Sequence, residues 1–262
     1  MHFYLGTHRP PWLWSPEFQD VPLFLSHNKL RERVSEFPPA TTSYAVDSGA
    51  YTVLTKHGRW IETPEEYVAG LRRYWDELGP FDFAAQQDSV CLSSALDAIE
   101  RVTGERPDVV DQIEATVANF VRLREIAPDL RIAPTVQGAE YDDYMLCVDL
   151  FTAAGVDLTA EPVVGVGSLV GQSPRAVERI ATGLRDRGIT NLHGFGVKGR
   201  GFAEASHVFA SADSLSWSRA GRWNPLPDCS HEQCQNCPRY ALRWRADLLD
   251  SMEGPQQLAF AI

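Results

Sequence analysis

Eight short apolar or β-branched runs, each ending on polar or glycine residues, recur along this chain. They are Phe3–Leu5, Pro22–Leu25, Tyr44–Val46, Phe81–Ala85, Ile132–Val136, Val163–Val166, Leu192–Val197 and Val208–Ala212. Between most of them lies a helical pattern. Pro64–Leu78 places apolar residues at roughly i, i+3, i+4 and i+7, with Thr63 as N-cap and a proline in the first helical position. Val110–Ile126 and Tyr141–Ala154 share that spacing, and Pro174–Arg187 starts after Ser173 and stops before Gly188. Two connections are weaker: Arg9–Asp20 is rich in proline and tryptophan, and Gly199–Ser206 is short.

Eight strands alternating with helices predict an α/β fold, either a (β/α)8 TIM barrel or a doubly wound open sheet. The polar residues favour the barrel, because they fall just past the strand ends. They are Thr7-His8-Arg9, Ser26-His27, Asp47-Ser48, Gln86-Gln87-Asp88, Gln137-Gly138, Gly167-Ser168, Lys198 and Asp213. In a barrel all those ends converge on the face where active sites sit. Loop polarity explains part of this pattern, and explains the acids, amides and glycines less well. With 262 residues, no internal repeat and no low-complexity linker, the chain reads as a single barrel domain, 1–262.

A net charge of -11 argues against a nucleic-acid coat protein with a basic face, though not against a local basic patch. No apolar run is long enough to cross a membrane, and the N-terminus lacks the pattern of a secretion signal, so a cytoplasmic protein is expected. The five cysteines are an odd number, and three crowd into Cys229–Cys237. With His231 they give Cys229-x-His231-x2-Cys234-x2-Cys237, four ligands within nine residues. That pattern suits a structural Zn2+ in a reducing compartment, forming a zinc-binding insertion near the C-terminus (228–240). Of the four, Cys229 or His231 is the exchangeable member, because a ligand from elsewhere could replace either.

Retaining exchange at a glycosidic bond needs two carboxylate roles, one attacking the anomeric carbon and one moving a proton. Asp47 and Asp213, on the third and eighth runs, would face each other across a barrel mouth. The segments Asp47-Ser48-Gly49-Ala50-Tyr51, Val136-Gln137-Gly138, Val164-Gly165-Val166-Gly167-Ser168, Gly194-Phe195-Gly196-Val197 and Ser211-Ala212-Asp213-Ser214, followed by the cysteine cluster, resemble the tRNA-guanine transglycosylase superfamily. Gly6-Thr7-His8-Arg9, Gly58-Arg59-Trp60, His193-Gly194 and Trp217-Ser218 bring the resemblance closest to its DpdA-like branch, the deazapurine DNA-modification transglycosylases. The similarity runs from Gly6 to about Trp244.

The resemblance implies a TIM barrel with a zinc site and a pentosyl-transfer reaction. Guanine in a polynucleotide is exchanged for a 7-deazaguanine base, here 7-cyano-7-deazaguanine, with the backbone left intact. It implies Asp213 as nucleophile and Asp47 as general acid/base. Asp88 and Gln137 would read the base edge, Gly167 and Ser168 would close the pocket, and Tyr51 and Phe195 would sandwich the ring. Lys198 would lie at the mouth. The chemistry agrees: a carboxylate such as Asp88 can accept from both N1–H and the 2-amino group of a guanine-like edge. A purine can reach such a slot only when flipped out of a duplex or single-stranded. DNA is the expected partner, with a helicase or ATPase to open the duplex as a further one.

Three departures from the tRNA enzymes point toward DNA. Ala50 stands where they usually carry glycine, His231 lies inside the cysteine cluster, and the chain leaves no room for an RNA-binding domain after the barrel. The rival readings are the same exchange on tRNA, a deazaguanine nucleosidase, and a non-catalytic zinc-containing nucleic-acid-binding barrel. His193 and His8 could touch phosphate or base, and Gln172 could touch the 7-substituent. Trp60 and Trp217 read as core, and Cys91 and Cys147 as buried small apolar residues.

Overall fold

The computed structural model describes residues 1–197 and 206–253. Among them are nine parallel strands: β1 His2–Thr7, β2 Leu23–Ser26, β3 Tyr44–Asp47, β4 Ala84–Ala85, β5 Ile132–Ala133, β6 Thr135–Val136, β7 Val164–Val166, β8 Leu192–Gly194 and β9 Ser211–Ser214. Their order is β5-β4-β3-β2-β1-β9-β8-β7-β6. The two ends of the sheet, β5 and β6, are consecutive pieces of one strand flanking Pro134, so nine segments make eight barrel positions. Pro134 has no N–H to give the ladder. Its carbonyl still accepts from Gly165 N at 2.8 Å, while Gln86 N on the other side reaches Ala133 O at 3.2 Å. The (β/α)8 barrel expected from the sequence is the fold.

The helices are α1 His27–Leu30, α2 Ala50–His57, α3 Pro64–Leu78, α4 Ser93–Thr103, α5 Val109–Ile126, α6 Tyr141–Ala153, α7 Pro174–Asp186, α8 Ser216–Trp223 and α9 Pro238–Glu253. At α3, Thr63 Oγ1 accepts from Glu66 N at 3.2 Å and Glu66 Oε2 accepts from Thr63 N at 2.8 Å, a complete capping box. The weak connection Arg9–Asp20 contains two 3-10 turns, Pro10–Trp14 and Pro16–Phe18. Most of the other weak connection, Gly199–Ser206, lies outside the described residues, as does Lys198.

The last strand differs from the sequence expectation. The sequence pattern places the strand at Val208–Ala212, with Asp213 just beyond it. Instead Ser206–Val208 is a 3-10 turn and β9 begins at Ser211. Parallel pairing with β1 sets this register, matching Phe3 to Ala212 and Tyr4 to Asp213. Strand side chains alternate, so Ala212 joins the outer core with the helices while Ser211 and Asp213 turn inward. The barrel's interior layer is Tyr4, Phe24, Ala45, Phe83 and Ala133, with Val163 and Phe195 packed against it. This layer fills the interior beneath the strand C-termini and closes off the space above it at that face from below.

Candidate active site

A cavity of about 470 Å³ occupies the C-terminal mouth of the barrel, large enough for a purine and its sugar. Asp47, Tyr51, Asp88, Gln137, Gly167, Ser168, Phe195 and Asp213 all line it. These side chains come from six different strand ends and the start of α2, so the fold alone brings them together.

Asp47 closes β3, paired with Ser26 of β2. The chain then turns sharply into α2 through Gly49, whose φ of 80° is left-handed, with the Asn28 amide where a Cβ would stand. Burial pushes the Asp47 carboxyl up to about 6, and the negative charge of Asp213 adds to the rise. Hydrogen bonds from Gly49 and Ser26 oppose it. A carboxyl in that range can both give and take a proton near neutral pH.

Asp213 is buried. Its Oδ1 accepts from Gly196 N at 2.9 Å and lies 3.4 Å from His193 Nε2. The His193 ring is fully buried, and its Nδ1 meets Ser211 Oγ at 2.8 Å. No described residue hydrogen-bonds to Oδ2. Among the described residues, one carboxylate oxygen is therefore anchored and the other has no partner.

Asp88 accepts from the Gln137 amide and, at 3.4 Å, from Ser48 Oγ. Gln137 Oε1 in turn accepts from Ser168 Oγ at 2.6 Å, and Ser168 Oγ accepts from Cys91 N at 2.9 Å. This chain fixes which way the Gln137 amide points. Ser168 has a φ of 54°, the only left-handed non-glycine backbone among the described residues. Its two hydrogen bonds hold it there. Burial raises the Asp88 carboxyl to about 6, the Gln137 bond pulls it down, and the charge of Asp47 pushes it further up.

Tyr51 stands half-exposed at the rim, whereas Phe195 sits lower. The Phe195 ring lies over Gly165, where a Cβ would overlap it, and within 5.9 Å of Phe24. It contributes to the cavity floor. Gln172, read as a contact to a base substituent, donates to Ala139 O at 2.8 Å and does not line the cavity. Of the polar trio after β4, only Asp88 faces the cavity. Gln86 bridges Thr116 O and Thr135 N, and Gln87 donates to Glu62 O. Trp60, read as core, donates from Nε1 to Asp88 O at 3.2 Å and so fixes that backbone. Trp217 is core, stacked on Trp12 and donating to Gly6 O at 2.7 Å.

The metal-ligand pattern lies in the segment between α8 and α9. The donor atoms of Cys229, His231, Cys234 and Cys237 all lie within 4.8 Å of one another, so the group could hold a metal ion. Cys229 and Cys237 sulfurs are 3.6 Å apart. Two sulfurs bound tetrahedrally at ~2.3 Å from one zinc would be about 3.8 Å apart. The loop is pinned to α8 by Cys234 N donating to Gly221 O and Ser218 Oγ donating to Gln235 O, both at 2.8 Å.

The family model for DpdA, DeoxyPurine in DNA protein A, matches residues 1–258. The chain belongs to the DpdA family. The match spans every strand and the cysteine cluster, so a role in deazapurine modification of DNA attaches to the barrel as a whole. No curated protein sequence matches this DpdA chain. Among solved structures it is similar to a 2,3-dimethylmalate lyase of the PEP mutase/isocitrate lyase superfamily, at 12% identity and a TM-score of 0.45. That likeness covers 97% of this chain and 94% of the lyase. Among the described residues of this DpdA member, no helix is long and apolar enough to cross a membrane.

Proposed function

We propose that the protein exchanges guanine in DNA for a 7-deazaguanine base, 7-cyano-7-deazaguanine, through a covalent intermediate on Asp213. The observation that carries this reading is the pairing of Asp213, with one oxygen anchored by Gly196 N, and Asp47, held near 6, on a single purine-sized cavity.

The target nucleotide enters the cavity flipped out or single-stranded. Asp213 Oδ2 attacks C1′, and a C1′–O ester forms as the C1′–N9 bond breaks. The bonding pair leaves on N9 of guanine, which takes the proton carried by Asp47. The incoming 7-deazaguanine then gives its N9 proton to the Asp47 carboxylate. Its N9 attacks C1′ and the ester oxygen departs, so two inversions give retention. Gly196 N–H and His193 hold Oδ1 throughout. Asp88 accepts from N1–H and the 2-amino group, while Gln137, fixed by Ser168, reads the neighbouring edge. Gly167 closes the pocket with its backbone and leaves room for the Gln137 amide, which a Cβ there would overlap. Tyr51 and Phe195 cover the faces of the base. Lys198 follows the Gly196-Val197 turn in sequence and would serve the mouth.

The cysteine–histidine cluster would hold a structural Zn2+ through Cys229, His231, Cys234 and Cys237. The ion would tie the segment after α8 to the start of α9. With four protein ligands it leaves no open position for chemistry.

The test is exchange of labelled guanine or 7-deazaguanine into DNA oligonucleotides. Wild type should incorporate label and Asp213→Asn should not. Exchange into tRNA but not DNA would replace this reading with the tRNA reaction. Hydrolysis of free nucleosides without polymer exchange would replace it with a nucleosidase.

A further inference from the structure

A second depression, of about 420 Å³, adjoins the mouth of the cavity. It is lined by His8 and Arg9 after β1, by Lys29, Glu32 and Arg33 of the α1 segment, and by Asn236 of the cysteine loop. His8 lines both spaces, so the groove and the cavity adjoin at that residue. Three cations against one acid make this groove net positive, in a chain whose net charge is -11.

The three cations differ in how they are held. Arg33 is fixed in place. Its Nε and Nη2 donate to Ser35 O and Glu36 O, and its guanidinium stacks within 5.4 Å of Trp14 and 5.3 Å of Phe37. Its Nη1 makes no hydrogen bond to a described residue. Arg9 is exposed, and its side chain has no described partner. Lys29 pairs with Glu32 at 2.7 Å, with both side chains largely in solvent. Such an exposed pair is weak, so a phosphate can compete for the lysine.

A nucleotide with its base in the cavity and its sugar at Asp213 must bring its two phosphates out through the mouth. We propose that this groove binds the phosphates of the single DNA strand on one side of the extruded nucleotide, with Arg9, Lys29 and Arg33 as the cationic contacts. The proposal rests on the base-exchange reading above. It also assigns a position to the cysteine loop: Asn236 puts that loop against the strand, as a wall of the binding track.

The test is fluorescence anisotropy of a labelled single-stranded DNA oligonucleotide, titrated with the full chain at several salt concentrations. Each phosphate contact on a single strand contributes about 0.7 to the slope of log affinity against log salt. The Arg9→Ala/Lys29→Ala variant should therefore lose about 1.4 of slope and bind about 25-fold more weakly at 0.1 M salt. Arg122→Ala, which removes an exposed cation paired with Glu65 on the helical shell, should leave the slope unchanged. An unchanged slope in the double variant, with base exchange intact in wild type, overturns the groove alone. Absence of DNA binding by wild type overturns the base-exchange reading and the groove with it. Tighter binding of the same sequence as RNA overturns the assignment to DNA.

Discussion

Replacing Asp47 by asparagine should make the folded protein more stable while removing its activity. The carboxyl stands at about 6 in the fold against 3.8 in water, mainly because it is buried. Between those values the folded chain binds a proton that the unfolded chain has released. Wild type therefore loses stability as pH rises through this window and does not regain it above. The gap corresponds to about 3 kcal/mol at neutral pH, from ~1.36 kcal/mol per pH unit. Asp47 borders an open cavity whose water screens part of this, so about 1–2 kcal/mol is the expected gain. In a chain of this size that is roughly 2–8 °C in melting temperature. Urea unfolding of both proteins at pH 7.5 and pH 4.5 measures it. The variant's advantage should shrink to about a third at pH 4.5, where the folded wild type is already protonated. A variant less stable than wild type at pH 7.5, or an advantage independent of pH, would refute the burial argument.

Three further outcomes follow from the same geometry. Gly167→Ala should weaken base binding about 10- to 100-fold, read as KM for the base, because the Gln137 amide can move only by breaking its bonds to Asp88 and Ser168. The rate of base capture should rise about tenfold between pH 5 and pH 7 as Asp47 ionises, and Asp47→Asn should flatten that profile. Elemental analysis should find about one zinc per chain, and Cys234→Ser should lower both zinc content and melting temperature, because Cys234 is buried against α8.

Much of this was legible in the sequence, and for physical reasons. Pro64–Leu78 is strongly amphipathic and carries its own capping box, so its limits match the expectation residue for residue. The barrel followed from alternation, and the site from polar residues at strand ends. Other features depend on tertiary contacts that no local pattern encodes. The frame of β9 is set by pairing with β1, which turned an acid beyond a strand into an acid within one. Gln86 and Gln87 resemble Asp88 in sequence position, yet their amides satisfy backbone groups of neighbouring elements. The short helix α2 and the helix α4 were not anticipated, although α4 carries apolar residues on one face. The anchoring of one Asp213 oxygen by His193 and Gly196 links residues 17 and 20 positions away, across β8 and the turn that follows it.

The mechanism turns on Asp213 carrying the sugar. It is tested most directly by quenching the protein during turnover with a guanine-containing DNA strand and mapping the adduct by mass spectrometry. The quench should yield a strand lacking one guanine, ester-linked to the peptide containing Asp213, which disappears when a 7-deazaguanine base is added before the quench. Base exchange at full rate with the adduct on another residue would contradict it.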